Sequence, residues 1–392
     1  MRPADVVGRL GESALALGML CGAGFLGFRV LHPPEPWSTP IVLVDSVGPP
    51  PASPSGLSPL PGAPLASARL GFTGDLMQHR LQAGDDFTRS YAALAPLLRG
   101  FDLTVGNLEF PVDSAAPVGP GPRSATFNGS PAHLAALAAA GFDLVSTANN
   151  HAWDQGLGGI DATVAALTAR GLTPVGTGGS ARDSTAPVVR DAGGIRVAFL
   201  AYTFPPNART DPSGASVPPS REAPVATLVF NDWTAEFRTA GVARIRADVA
   251  RARAAGAEFV VAFVHWGREW HLEPDADQRR AAHDLVDAGV DLVVGAHPHV
   301  LEPPELYRGR LIAYSLGDFI ADFHPLAART GAVLAVDIAK TTDGVRATGF
   351  AFHPTLVVSP GHIVTPVHAS DPGDARAAWR WARARLGTAV AP

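Results

Sequence analysis

The sequence predicts an α/β fold resting largely on parallel strands. Three observations carry that expectation: short, mostly apolar runs with the composition of buried strands, helical patterns between many of them, and acidic, amide or imidazole side chains just past the runs. Strands alternating with helices build parallel sheets. Open sheets of that kind bind ligands at the carboxyl ends of their strands.

In chain order, the first feature is an uncharged stretch from Ser13 to Phe28, with Arg2 and Arg9 before it and Arg29 behind it. It is shorter than the roughly 20 residues that cross hydrocarbon comfortably; Val30 and Leu31 extend it if Arg29 snorkels. No A-x-A-like site follows closely, which favours an uncleaved signal anchor over 1–32 rather than a removed signal peptide. Leu20 disfavours a lipid-modified Cys21, and a buried amphipathic helix is the plainer alternative. The arginines favour an N-terminus inside and a domain outside the cell membrane. From Pro33 to Ala68 eleven prolines accompany serine, glycine and alanine, a composition that stays extended as a linker over 33–68.

The folded domain is expected over 69–365. Strands are expected around Leu70 to Thr73, Leu103 to Val105, Leu144 to Ser146, Val197 to Ala201, Phe259 to Val264, Leu292 to Val294 and Leu311 to Tyr314. Helices are expected over Pro131 to Ala140, with Ser130 as N-cap and Pro131 at N1, and over Ile160 to Arg170, Val242 to Ala255 and Ala276 to Ala288. Ala332 to Ile338 and Gly344 to Phe352 follow as strands with no helix between them, which makes a second or mixed sheet plausible. Thr203 to Thr239 breaks the alternation; a connection this long is either a lid beside the site or a passive excursion. The C-terminal tail, 366–392, carries Arg376, Arg380, Arg383 and Arg385 with Trp379 and Trp381. It reads as a basic helix that packs on its own domain or meets an anionic surface.

A net charge of −5 over 392 residues leaves no basic footprint for nucleic acid. The single cysteine, Cys21, excludes an intrachain disulfide and a thiolate metal cluster. What remains is a hard-to-borderline donor set: Asp75, Glu109, Asn150 with His151, His265, and His297 with His299, each just past an apolar run. Oxygen donors with several imidazoles suit a divalent metal. Taken singly, Asp75 also reads as a helix N-cap, Glu109 as an arginine partner, and each histidine as a hydrogen-bonded structural residue. The joint pattern favours convergence.

The motifs Gly74-Asp75, Gly106-Asn107-Leu108-Glu109-x-Pro111, Asn149-Asn150-His151-x-x-Asp154-x-Gly156, His265-Trp266-Gly267-x-Glu269, Gly295-x-His297-Pro298-His299-Val300 and Tyr314-Ser315-Leu316-Gly317-x-Phe319 resemble, in order, those of the CapA family, associated with poly-γ-glutamate capsule synthesis. That resemblance implies a calcineurin-like metallophosphoesterase fold, a layered α/β/β/α sandwich of mixed sheets. It also implies two divalent ions, manganese, iron or zinc. Asp75 and His299 would hold the first ion, Asn150, His265 and His297 the second, with Glu109 bridging. His151 would stand beside them as an acid, oriented by Asp154. Asn107, Trp266, Glu269 and Asp318 are placed around the ligands or the substrate, and capsule-synthesis membrane proteins are the implied partners.

Three departures matter, one of them Glu109, a longer arm where such enzymes usually carry a bridging aspartate. Met77 stands where calcineurin-like enzymes usually carry a histidine two residues after the first aspartate; His79 is the nearest alternative. Asp318 stands where the CapA motif more often has asparagine. Trp153, Trp266 and Trp270 either line a groove for a polymer or pack as core, and the loop Thr126 to Gly129 offers backbone donors to an anion. The favoured function is a membrane-anchored metal-dependent hydrolase or transferase acting on an anionic polymer or phosphoester. The alternative is a non-catalytic subunit that binds and guides the polymer; a sugar-binding or scaffold domain would need the acids and imidazoles dispersed.

Overall fold

A computed structural model describes residues 57, 63–82, 84–119, 126–204, 225–226 and 235–392; the expected anchor, most of the linker and most of the expected lid lie outside the described residues. Among the described residues sixteen strands run in order: β1 (Ala66–Leu76), β2 (Leu103–Leu108), β3 (Leu144–Ser146), β4 (Thr173–Val175), β5 (Val188–Ala192), β6 (Ile195–Thr203), β7 (Phe259–His265) and β8 (Leu292–Ala296). They continue as β9 (Leu301–Glu302), β10 (Glu305–Tyr307), β11 (Arg310–Ala313), β12 (Ser315–Leu316), β13 (Asp318–Ile320), β14 (Thr330–Thr341), β15 (Gly344–Val358) and β16 (Ile363–Pro366).

They form two main sheets. The first has the order β16-β15-β14-β1-β2-β3-β4, with β13 also paired to β1; the second has the order β10-β11-β8-β7-β6-β5. Both are mixed: β1 to β4 are parallel, as are β6, β7, β8 and β11, while β14, β15 and β16 add an antiparallel flank. Alternation along the first sheet separates its two faces. Leu70 and Phe72 of β1 and Leu334 and Val336 of β14 join one core with Val261, Phe263, Val293 and Ile312 of the second sheet. Val145, Val333 and Ala335 face the other way, onto Leu134 and Leu137 of the helix Pro131–Ala140. The helices Ala235–Ala254 and Ala276–Asp287 contribute Ile245, Ala252, Ala281 and Leu285 to the second sheet's side of the shared core. The layering is therefore helix, sheet, sheet, helix.

Local signals explain several elements. Ser130 accepts from the backbone N–H of His133 and Pro131 opens the helix, which ends at Gly141 in the left-handed region. Asp275 and Gln278 form a reciprocal capping box at the start of Ala276–Asp287. The helix Gly373–Leu386 packs Ala378, Ala382 and Leu386 inward while Arg376 and Arg380 stay exposed. Strands β4, β5, β9, β10, β12, β13 and β16 were not expected; all are two to five residues long and too short to display a period.

Two glycines bring the strand ends together. A Cβ on Gly74 would lie 1.8 Å from the carbonyl oxygen of Gly317, and one on Gly295 would lie 1.9 Å from that of Tyr314. Their absent side chains let β1 and β8 run against segment 314–318.

Glu302 braces the loop that follows the two histidines. It is fully buried, Gln278 Nε2 donates to its Oε2 at 3.1 Å, and its Oε1 has no partner among the described residues. Burial pushes its carboxyl up to about 8, with Asp275 and Glu273 adding to the rise against the Gln278 bond and Arg385. For an acid raised on folding, the stabilising preference for the protonated form is complete below about 4.5 and is lost as pH rises through about 8. Glu302→Gln is therefore expected to match the parent in thermal melts at pH 4 and to exceed it by about 1–3 kcal/mol at pH 9. Equal melting at both pH values would contradict this.

Candidate metal centre

The site is built at the carboxyl ends of strands from both sheets. In the first sheet Asp318, Asp75 and Asn107 stand in one row of register across β13, β1 and β2. Glu109 follows the last residue of β2, and Asn149, Asn150 and His151 follow β3. In the second sheet His265 closes β7, and His297 and His299 lie on the loop after β8. That loop holds His297 at φ 97° and His299 at φ 57°, left-handed conformations that cost non-glycine residues of order 1–3 kcal/mol each and cluster at functional sites.

The six residues expected as ligands meet in one buried cluster. His265 Nε2 lies 2.8 Å from Asn150 Oδ1 and 3.3 Å from Glu109 Oε1. His299 Nδ1 lies 2.9 Å from Asp318 Oδ1 and 3.4 Å from Asp75 Oδ2, and its Nε2 is 3.9 Å from Glu109 Oε1. The backbone N–H of His297 donates to Asp75 Oδ2 at 3.0 Å, and its ring centroid is 4.7 Å from that of His265. Asn107 Nδ2 donates to Asp75 Oδ1 at 2.7 Å and lies 3.2 Å from His265 Nδ1, tying the sheets together.

Three sets of potential ligand atoms lie within 4.8 Å of one another: Glu109, His265 and His297; Asp75, His299 and Asp318; and Glu269, His297 and His299. Both carboxylate oxygens of Glu109, one of Asp318 and the Nδ1 of His297 are buried with no hydrogen-bond partner among the described residues. Buried polar atoms left this way each cost about 1–3 kcal/mol, more for a charged group. Donors sharing one cation at about 2.1 Å sit roughly 3 Å apart at right angles, the spacing seen around His265 Nε2. The residues fit a divalent metal.

Electrostatics point the same way. Burial, then the neighbouring Asp75, pushes the Glu109 carboxyl well above the usual range, with Asp318 and Glu269 adding to it against His299. Burial pushes Asp318 up to about 7 against the pull of His299. Burial acts upward on Asp75 too, but its contacts with His299, His265 and Asn107 prevail and hold it below the ordinary value. His299 is the reverse: burial acts downward, and Asp318, Glu109 and Asp75 raise it well above the usual value. Burial brings His265 down to about 3, and burial with its imidazole neighbours takes His297 well below the usual value. Both shifts favour the neutral imidazole, the form that can ligate a cation, and the Nδ1 of His297 has no hydrogen-bond partner among the described residues.

His151 lies beside this cluster, 5 % exposed, with Nδ1 2.7 Å from Asp154 Oδ2. The same oxygen accepts the Phe127 N–H at 2.7 Å, and Gly129 N–H donates to Pro111 O. Those two donors of the 126–129 loop are committed within the protein, so neither is free for an anion. Trp266 lines no groove: it is fully buried, and its Nε1 donates to Tyr314 O at 2.9 Å. Trp153 is also core, whereas Trp270 is half-buried with its ring 5.2 Å from His299. Glu269 is exposed, with a carboxylate oxygen within 4.8 Å of ring nitrogens of His297 and His299.

His79 belongs to none of the three ligand sets. Its Nδ1 accepts from Asp322 N–H and its ring stacks on Phe127 with its edge to Phe323. Two contributors escaped sequence reasoning. Asn149 Nδ2 donates to Leu108 O at 2.7 Å while its Oδ1 accepts from His151 N–H, fixing the turn that presents Asn150. Phe204 packs its ring 4.8 Å from His297; its place just past β6 was the available signal.

The sequence profile of a family described as bacterial capsule synthesis protein PGA_cap matches residues 69–323. The chain is 30% identical over 280 residues to the PGA biosynthesis protein CapA of Bacillus subtilis (strain 168), covering 70% of this chain and 68% of that protein. It is 29% identical over 260 residues to the capsule biosynthesis protein CapA of Bacillus anthracis, covering 64% of this chain and 58% of that one. A probable polyglutamine synthesis accessory protein of Mycobacterium tuberculosis is 28% identical over 193 residues, 49% of each chain. Among solved structures, the calcineurin-like phosphoesterase YfkN from Bacillus subtilis superposes with a TM-score of 0.43 at 14% identity, covering 74% of this chain and 90% of that one. The layering described above stands on the strand pairings and the shared core alone.

Proposed function

The chain belongs to the PGA_cap family of bacterial capsule synthesis proteins, and from that premise we propose that it is a membrane-anchored, metal-dependent hydrolase or transferase of the metallophosphoesterase type. Its substrate is an anionic capsule polymer such as poly-γ-glutamate, or a related phosphoester, met outside the cell. The observation that carries this reading is the buried cluster of Asp75, Glu109, Asn150, His265, His297 and His299, with carboxylate oxygens that no described group satisfies.

Asp75 and His299 would hold one cation, Asn150, His265 and His297 the other, and Glu109 both. When bound, such ions supply Lewis-acid charge and a nucleophile at neutral pH. Asn107 fixes Asp75 by hydrogen bond and touches His265. Asp154, itself held by the Phe127 N–H, orients His151 through Nδ1 and leaves Nε2 to carry a proton to a leaving oxygen. Glu269 and the half-buried Trp270 stand on the solvent side of His297 and His299, where substrate would approach.

The anchor is supported by the uncharged run Ser13 to Phe28 between arginines. No helix among the described residues is long and apolar enough to cross a membrane. Membership of a capsule-synthesis family supports extending the proposal to capsule-synthesis membrane proteins as partners. One observation favours the guiding-subunit reading: Met77 is buried among apolar side chains and offers the first position no imidazole.

Elemental analysis of the full chain in detergent, with turnover of bis(p-nitrophenyl) phosphate, tests the proposal. Uptake of manganese, iron or zinc is expected, and His297→Ala is expected to cut turnover by more than ~100-fold, beyond what loss of an outer partner costs, with an unchanged circular dichroism spectrum. Binding of poly-γ-glutamate without any turnover, equal in parent and variant, would establish the guiding role instead.

A further inference from the structure

The first cation position has a donor problem, because the side chain two residues past Asp75 is Met77, 2 % exposed in an apolar cluster with Leu76, Phe87 and Phe319. The register between β1 and β13 shifts between Asp75 and Leu76, and the Met77 N–H donates to Ile320 O. The same pairing places another acid at the site: Asp318 is the register partner of Asp75 on the adjacent parallel strand.

We propose that the carboxylate of Asp318 is a direct ligand of the first cation, with Asp75 and His299, in the place a residue-77 imidazole would otherwise fill. This rests on the two-cation reading above and deepens it. The centre is then unequal. One position is oxygen-rich, from Asp75, Asp318 and His299; the other is richer in nitrogen, from Asn150, His265 and His297; Glu109 joins them.

Three observations carry the assignment. His299 Nδ1 has Asp318 Oδ1 at 2.9 Å and Asp75 Oδ2 at 3.4 Å, the roughly 3 Å spacing of donors that share an ion. Asp318 is fully buried, and its Oδ2 has no partner among the described residues; a carboxylate that only oriented His299 would use one oxygen and bury the other without return. Asp75, His299 and Asp318 also present ligand atoms within 4.8 Å of one another. The donor sets then sort cations: carboxylate oxygen suits manganese or magnesium, and the imidazole-rich position suits zinc or iron.

Calorimetric titration of the full chain with Mn²⁺, followed by electron paramagnetic resonance, tests this. The parent is expected to take two equivalents and give the spectrum of a spin-coupled pair. Asp318→Ala is expected to keep one equivalent with an uncoupled spectrum, the lost position weakened by more than the ~10–100-fold that an orienting partner contributes. His265→Ala should lose the other position instead. Asp318→Asn preserves the side chain's shape and carries the test if the alanine variant does not fold; it should weaken the same position alone. A coupled pair persisting in both Asp318 variants, with affinity within ~100-fold of the parent, overturns the assignment and leaves the two-cation reading intact. A parent that takes up no cation overturns both.

Discussion

Replacing Glu109 with glutamine is expected to abolish cation uptake and, at the same time, to stabilise the cation-free protein. The side chain lies between His265 and His299, fully buried, with neither oxygen satisfied. In the absence of a cation, its charge faces burial and then the repulsion of Asp75, which together push its carboxyl well above 4.5. An acid raised on folding has its protonated-state advantage in full below about 4.5 and loses it as pH climbs through the raised value. Glutamine keeps the shape and has nothing to lose over that range. The variant should therefore melt with the parent at pH 4 in chelator and above it at pH 8, by about 1–3 kcal/mol. Its cation affinity should fall by more than ~100-fold, beyond the effect of an outer partner. A glutamine variant that binds Mn²⁺ like the parent, or that melts lower at pH 8, would remove Glu109 from the bridging role.

His151→Ala should lower turnover by about 10²–10⁴-fold on substrates with poor leaving groups and far less on p-nitrophenyl esters, whose leaving oxygen needs no proton. The geometry behind this contrast is the Asp154–His151 contact at 2.7 Å and the Phe127 N–H that pins Asp154 from behind. Asp154→Asn should show the same leaving-group pattern in weaker form, because its oxygen can still orient the ring. An equal loss on both substrate types would mean that His151 shapes the pocket against Phe127, whose ring meets it edge-on at 4.4 Å, and transfers no proton.

Much of this architecture was legible locally. Ser130 and Pro131 marked a helix that spans Pro131–Ala140 as expected, and the run Leu144 to Ser146 is β3 residue for residue. The polar residues past the apolar runs stood out by composition, although the strands themselves run on through several of them: Asp75 lies within β1, Asn107 within β2, and His265 closes β7. Short pieces such as β9, β12 and β13 stayed hidden. With two or three residues each, they carry no periodicity and exist only because a neighbouring strand offers backbone partners.

The sequence by itself therefore determined the alternation of strands and helices, and the chemical kind of centre their ends could build. Tertiary structure decided which of those side chains touch. The contact of Asp75 with the His297 backbone joins residues 222 apart, and the pairing of β13 with β1 puts Asp318 beside Asp75 while Met77 turns into an apolar cluster. Helix caps and strand runs are written in neighbouring residues. Ligand geometry depends on how two sheets close against each other and on glycines such as Gly74 and Gly295, whose missing side chains permit the approach, a relation that no local pattern encodes.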